Sequence, residues 1–243
     1  MQPAYAQSYE QLYHHHWWWR AREAIVLREL GRLTVPRPAR VMDVGCGNGL
    51  ILNRLAAWGD VHGIELDRSV LTDGAPHREH IYCEPLGDER YRAMSGTFDL
   101  VTALDVIEHV EDDGLLVRQM LQLLKPWGHL LVTVPAFSCL WSNHDEANVH
   151  YRRYGRSALR KVLDEHGTLL RVRHLFPSLF LFKWLVVQVD RRRVRQIDQA
   201  RLPSALTCTV MQRWLGMEER LARPLNLPFG SSLLAVVRKS PSA

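Results

Sequence analysis

Val41-Met-Asp-Val-Gly-Cys-Gly-Asn-Gly49 is the stretch that decides the architecture of this chain. An apolar run carrying one acid, Asp43, breaks into glycine at every second position: Gly45, Gly47 and Gly49. Leu50-Ile-Leu-Asn-Arg-Leu-Ala-Ala57 follows with the pattern of a helix. A strand, a tight turn and a helix start, in that order, let backbone approach a ligand and aim free N–H groups at it. A second short apolar run, Asp60-Val-His-Gly-Ile64, ends on Glu65. An acid about 20 residues past a glycine turn is placed to take ribose hydroxyls. The fingerprint for a dinucleotide is G-x-G-x-x-G, shaped to receive a pyrophosphate. Here the spacing is G-x-G-x-G behind Asp43, an acid that would repel a pyrophosphate and can receive an ammonium group, directly or through water. The expected ligand is a nucleoside without a pyrophosphate.

Composition sets the outer limits. The chain has 243 residues, 47% of them hydrophobic, which suits one α/β domain with a full core. A net charge of +5 is a mild excess. The basic residues are mostly dispersed arginines, without the dense stripe and interleaved aromatics of a nucleic-acid binder, so no nucleic-acid partner is expected. Cys46, Cys83, Cys139 and Cys208 form no C-x-x-C pair. That pattern fits a reduced, cytoplasmic location, with neither a disulfide framework nor a zinc site. The opening residues do not read as a signal peptide, and no apolar run reaches the roughly 18–20 residues that cross a bilayer. His14, His15 and His16 are adjacent, and three consecutive side chains seldom converge on one ion, so no metal is expected there either.

From Pro36 onward strand and helix patterns alternate. Strands are expected over 40–44, 60–65, 80–83, 98–103, 128–134, 168–174 and 231–238, and helices over 49–58, 69–74, 113–124 and 157–166. Before the core, Ala24, Leu27, Leu30 and Leu33 recur at helical spacing. Asp112 or Asp113 can cap the helix after residue 112. Parallel strands joined by helices imply a doubly wound sheet with its ligand beyond the carboxyl ends of the strands. The glycine turn, Glu65, Asp105 and Pro135 all fall on that rim.

The glycine turn resembles the first motif of class I S-adenosylmethionine-dependent methyltransferases. Phe98-Asp-Leu-Val-Thr-Ala-Leu-Asp-Val-Ile-Glu-His-Val110 is similar to their fourth strand and the turn after it. Leu123-Leu-Lys-Pro-Trp-Gly-His-Leu-Leu-Val-Thr-Val-Pro135 is similar to their helix end, turn and fifth strand, with Pro126-Trp127-Gly128 where Pro-Gly-Gly is usual. The resemblance covers roughly residues 35–175. It implies an α/β fold: a Rossmann-like, doubly wound, mostly parallel seven-stranded sheet with helices on both faces. It also divides the chain into an N-terminal helical cap (1–34), a core (35–175), a helical insertion or lid (176–229) and a last core strand (230–243). The implied cofactor is S-adenosyl-L-methionine, with S-adenosyl-L-homocysteine as product.

The resemblance also implies roles. Asp43 orients the methionine ammonium, and Gly45, Cys46 and Gly47 pass their backbone beside the methionyl and ribose parts. Glu65 takes the two ribose hydroxyls and Leu66 packs on adenine. Glu84, with Asp88 as alternate, offers an acid to the adenine amino group. Leu104 and Asp105 stand where a backbone carbonyl meets the ammonium. His16-Trp17-Trp18-Trp19-Arg20-Ala21-Arg22 resembles the His-Trp-Trp-Phe segment, followed by arginines, that opens a bacterial subset of these enzymes. It implies that the segment lies over the cofactor, with Arg22, or alternatively Arg20, on the methionine carboxylate. The competing reading is a helix anchored by tryptophans with both arginines in water.

On the acceptor side, Asp105-Val-Ile-Glu-His109 resembles the Glu/Asp-Val-Leu-Glu-His of quinone-precursor O-methyltransferases. His109 is then a base at the pocket mouth or a packing residue. Trp141-Ser-Asn-His144-Asp145 and His150-Tyr-Arg-Arg-Tyr154 resemble two further segments of the bacterial subset. His144 held by Asp145 is a candidate general base, and His150 joins the same cluster. Arg152 and Arg153 either bind an anion on the acceptor or stay solvated. About fifty residues, far more than usual, separate the last two strands. They open with the apolar run Leu175–Val189, then Asp190-Arg-Arg-Arg-Val-Arg195. Such a segment is a lid, a dimer face or, through 175–195, a peripheral membrane contact. The expected partner is a small or lipid-linked acceptor, methylated most readily at oxygen, with carbon and nitrogen open. The protein is expected as a monomer or homodimer. A silent cofactor-binding partner in a biosynthetic complex is the non-enzymatic alternative.

Overall fold

The computed structural model describes residues 10–164, 167–189 and 203–241. Its strands are β1 (Ala39–Val44), β2 (Gly59–Ile64), β3 (Ile81–Tyr82), β4 (Phe98–Leu104), β5 (Leu124–Pro135), β6 (Thr168–Leu175) and β7 (Ser232–Arg238). They form one sheet in the order β3-β2-β1-β4-β5-β7-β6. The first five run parallel, and β7 lies antiparallel between β5 and β6. The helices are α1 (Trp17–Leu30), α2 (Leu52–Leu55), α3 (Glu89–Ala93), α4 (Asp113–Leu123), α5 (Asn143–Ala147), α6 (Arg156–Asp164), α7 (Pro177–Val189) and α8 (Ala205–Leu225).

Pleating sends successive side chains of a strand to opposite faces, and the central strands feed two cores in this way. Val41, Leu100 and Leu131 enter one layer while Met42, Val101 and Val132 enter the other. Ile25 of α1, Leu52 and Leu55 of α2 and Leu215 of α8 cover the first layer. Val117 and Met120 of α4, with Leu159 and Leu163 of α6, cover the second. Burial on both sides is why β4 reads as a nearly unbroken apolar run.

Several expected elements are corrected. The helix over 49–58 is a single turn, α2, because the glycine turn and Leu50–Ile51 use up the chain before Gly59 enters β2. The helix over 69–74 is a 3₁₀ turn, Arg68–Val70, capped by Asp67; Thr72 N donates to Asn48 Oδ1 at 2.9 Å and draws the chain away. β5 begins at Leu124, with Pro126–Gly128 bulged out of register and Trp127 at φ 68°. Asp112 caps α4 by accepting from Leu115 N at 2.8 Å, whereas Asp113 takes the Tyr154 hydroxyl at 2.7 Å. In α1 the inward face is Ala21, Arg22, Ile25, Val26, Glu29 and Leu30, and Ala24 is exposed. An apolar count misses that phase because two of its six residues are charged.

Those two charges fasten α1 to the rest. Glu29 has no exposed surface; its carboxylate accepts from Arg171, from Arg173 Nη2 at 3.1 Å and from Arg223 Nη2 at 3.5 Å. Arg173 also makes a two-pronged bond to Glu219 at 2.7 and 2.9 Å. The N-terminal helix, the edge strand β6 and α8 of the insertion are thus joined by one buried network. The insertion itself comprises α7 and α8, with Arg191–Arg195 outside the described residues. No described helix is long and apolar enough to cross a membrane. Removing one member of a buried pair leaves the other charge uncompensated. Glu29→Ala should therefore lower unfolding stability in urea by about 3 kcal/mol; an unchanged midpoint would show that the network carries no stability.

Candidate functional site

Winding reverses between β1 and β4, which opens a crevice at their carboxyl ends. The glycine turn enters it from β1. Gly45, Gly47 and Gly49 have φ of 72°, 56° and 72°, the left-handed region that glycine occupies without strain. Gly45 N and Cys46 N donate to Ile64 O at 2.8 and 3.0 Å, stapling the turn to the end of β2. A Cβ on Gly45 would lie 2.6 Å from Val106 Cγ2, so backbone passes there at a separation no other residue permits.

Glu65 lies at the end of β2. Its Oε2 accepts from Gly47 N and its Oε1 from Asp67 N, each at 2.9 Å. Each carboxylate oxygen keeps a second lone pair, enough for one hydroxyl apiece. Burial pushes the Glu65 carboxyl above its ordinary range. Leu66, next in sequence, is 60% exposed on the rim. Asp43 lies beneath the turn, 2% exposed and accepting from the Thr102 hydroxyl; burial raises it to about 7. Glu84 accepts from Cys83 N at 3.2 Å and pairs with Arg90 at 3.7 Å and Arg68 at 4.0 Å. Its alternate, Asp88, is occupied as the cap of α3.

Arg22 reaches the same crevice from α1. It is 8% exposed, its guanidinium 4.8 and 4.6 Å from the ring centres of Trp18 and Trp19, which meet each other edge to face, contacts that a guanidinium favours. It pairs with Asp105 and donates to Leu104 O at 3.4 Å. Arg20 stays exposed and donates to His14 O. The structure therefore brings Arg22, and not Arg20, to the rim. Asp105 itself has φ 57°, a conformation that costs energy in a non-glycine residue and gathers at functional sites.

The acceptor loop differs from expectation. Asp145, fully buried, does not hold His144. It accepts from Ser142 N at 2.8 Å, His150 Nδ1 at 2.9 Å, and Arg153 Nε and Nη2 at 2.7 and 3.1 Å. These partners hold its carboxyl well below the usual range despite burial. Neighbours on a helix point apart, so Asp145 meets His150 five residues later, and His144 Nδ1 faces Asn148 Nδ2 at 2.9 Å. His109 is exposed at the mouth, its ring edge-on to His150 at 4.5 Å. Neither arginine is a free anion receptor. Arg153 is 8% exposed and spent on Asp145, and Arg152 pairs with Asp113 at 2.9 Å.

Three residues escaped the sequence reading. Glu108 is fully buried with both carboxyl oxygens lacking a hydrogen-bond partner; burial and then Asp105 push it well above the usual range. Lys183 comes from α7 of the insertion, where burial and then Arg153 lower it to about 8 while Asp145 and Asp105 favour its charge. It is the one charged side chain in α7, a signal the sequence did carry. Phe137, at φ 58°, stacks on His174 at 5.0 Å and lies 5.0 Å from Phe180, giving the loop after β5 an aromatic wall. Glu108, His109 and His150 each bring one ligand atom within 4.8 Å of the others, close enough for a cation; Asp60–His62–His80 and His77–Glu79–His80 do so near β2 and β3.

A doubly wound sheet whose switch point holds a glycine turn and an acid-tipped second strand defines a class I methyltransferase architecture. The chain belongs to the methyltransferase-domain family, whose model matches residues 16–176. It is 37% identical over 97 residues to the ubiquinone biosynthesis O-methyltransferase of Ralstonia nicotianae, covering 37% of this chain and 41% of that one. With the protein of the same description from Aliivibrio fischeri, identity is 30% over 150 residues, 58% of this chain and 61% of the other. The matched stretches span about two fifths to three fifths of those relatives' length. The phosphoethanolamine N-methyltransferase 2 of Haemonchus contortus, solved with S-adenosyl-L-methionine, is alike in fold. The TM-score is 0.62 at 16% identity, over 98% of this chain and 57% of that one.

Burial, then Lys183, lowers His144 from 6.5 to about 4. Between those values the unfolded chain binds a proton that the folded chain refuses, so stability falls as pH drops from 6.5 to about 4. The imidazole signal of His144 in a proton-NMR titration should stay neutral down to pH 5.5. A midpoint near 6.5 would show an open, solvated ring.

Proposed function

We propose that this chain transfers the methyl group of S-adenosylmethionine to an oxygen of a small or lipid-linked acceptor. The buried Asp145–His150 pair carries the reading. Methyl transfer is an in-line displacement: the acceptor oxygen bonds to carbon, the carbon–sulfur bond breaks, and the sulfonium becomes a neutral thioether. The sulfonium is already activated, so alignment supplies most of the catalysis. A hydroxyl that is a weak acid still needs a base. His150 donates Nδ1–H to Asp145, which leaves Nε2 as the basic nitrogen. Arg153 balances the Asp145 charge, so the carboxylate orients the ring without itself taking the proton. Lys183, cationic at neutral pH and without a hydrogen-bonded carboxylate among the described residues, receives an anionic or oxyanionic end of the acceptor.

On the cofactor side, Glu65 takes the ribose hydroxyls, Leu66 packs on the base, and Glu84 is retained for the adenine amino group. The Gly45–Gly47 backbone, with Cys46 between, lines the methionyl portion. Asp43, Leu104 and Asp105 serve the ammonium group, and Arg22 the carboxylate. Two observations support the oxygen and the lipid-linked form. The matched relatives are described as O-methyltransferases. Leu181, Phe182 and Leu185 of α7, with Leu206, Trp214 and Leu221 of α8, are exposed apolar side chains on the insertion. A surface of that kind suits an interfacial location.

Titration calorimetry tests the cofactor side. Glu65→Ala should weaken S-adenosylmethionine by about 1–3 kcal/mol, the cost of a lost charged hydrogen bond, and equal affinity would remove Glu65 from the site. On the acceptor side, His150→Ala should lower kcat about 10²–10⁴-fold with cofactor affinity unchanged, while Lys183→Met should chiefly raise the acceptor KM. A His150→Ala enzyme of full activity would reject a base in this position.

A further inference from the structure

Away from the methyl-transfer crevice, and sharing no lining residue with it, a groove of about 750 Å³ runs along the edge strand β6. Arg28 and Arg32 reach it from the end of α1, and Arg156 and Arg160 from α6. Arg171 and Arg173 come from β6, and Arg220 and Arg223 from α8. Eight guanidiniums meet two carboxylates, Glu29 and Glu219, a surplus of six positive charges. Both carboxylates are already engaged by Arg171, Arg173 and Arg223. Among the described residues, Arg28, Arg160 and Arg220 have no carboxylate partner. Arg156 Nε, Arg173 Nε and Arg223 Nε are buried donors with no acceptor. Burial, then the neighbouring Arg223, pushes Arg32 below its ordinary value, with Arg28 and Arg173 adding to the repulsion.

A protein does not gain stability by gathering like charges around a cleft while leaving buried donors unpaired. What answers both deficits is a compact, multiply charged anion with several acceptor oxygens. Planar guanidiniums meet phosphate by two-pronged bonds, which ammonium groups cannot do, and every cation lining this groove is an arginine. We infer that the β6 groove is a second binding site, for a multiply charged phosphate group, carried either by a free phosphate compound or by a phospholipid headgroup. The inference does not rest on the methyl-transfer reading and survives its failure.

The test uses the full chain with two probes: sodium pyrophosphate by calorimetry, and sedimented vesicles containing phosphatidic acid, whose monoester phosphate can carry two charges, with phosphatidylcholine as the net-neutral control. Wild type should bind at least one anionic probe, more weakly as salt rises. The pair Arg32→Glu and Arg160→Glu, exposed and on opposite walls, should weaken it at least tenfold with S-adenosylmethionine affinity unchanged. Pyrophosphate binding alone supports a free ligand, and selective binding to phosphatidic acid vesicles supports a headgroup. Should the reversed charges disturb folding, Arg28→Gln with Arg220→Gln serves as the second variant pair. No binding of either probe at low salt, or equal binding by the folded variants, would overturn the site.

Discussion

The reversal of winding between β1 and β4 is the constraint on which the rest of the molecule depends. Parallel strands that leave a switch point in opposite directions cannot cover their own carboxyl ends, so backbone N–H groups and side chains there face open space. The glycine turn after β1, Glu65 after β2, Asp105 after β4 and Phe137 after β5 all occupy that rim. Two of these, Asp105 and Phe137, hold left-handed backbone at non-glycine residues. That strain persists because the sheet on one side and the acceptor loop on the other fix both flanks: Asp105 N bonds Thr133 O at 2.9 Å and Phe137 N bonds Tyr154 O at 3.0 Å.

What surrounds the rim is positioned by buried charge as well as by apolar contact. Arg22 and Asp105 bring α1 over the crevice, Glu29 with Arg173 and Glu219 fixes α1, β6 and α8 together, and Asp145 with Arg153 and His150 closes the acceptor loop. Buried ion pairs are a poor source of net stability compared with apolar packing of the same volume. Their value here is geometric. A slipped register would strand a charge in the core, so each pair admits one docking of its segment. This gives the added segments a defined position over a sheet that does not itself need them.

The legible part of the sequence is the local part. Glycine spacing, the acid after the second apolar run and the alternation of strands are set by neighbours within a few residues, and the doubly wound, mostly parallel seven-stranded sheet followed from the family resemblance. The Asp145–His150 pair was not legible. Adjacent His144 and Asp145 suggested a dyad, but the helix points them apart and a later turn supplies the partner. Lys183 sat in an apolar run that, with the arginines after it, read as a lid, a dimer face or a membrane contact, and only the tertiary fold puts its ammonium under the influence of Asp145 and Asp105. The short α2 was misjudged because helical pattern in residues 49–58 is overridden by the geometry of the turn. The α1 face was missed because burial there is decided by ion pairs, to which a hydrophobic period is blind. The arginine groove gathers residues from four elements spread over nearly two hundred positions, so dispersed charge in the sequence became concentrated charge in the fold.

The crevice is also short of positive charge. Asp43, Glu65 and Glu108 are all pushed upward by burial, with Glu65 adding to the effect on Asp43 and Asp105 to that on Glu108, while Arg22 favours the charge of Asp43 and Glu108, and Arg153 that of Glu108. An acid-rich, poorly solvated site favours a cationic ligand, since a nearby positive charge restores the ionised carboxylates. S-adenosylmethionine brings two such charges, on its ammonium and its sulfonium. Methyl transfer removes one of them, because the product sulfur is a neutral thioether. In the proposed reading the same carboxylates that attract the cofactor lose part of their hold once the reaction is done.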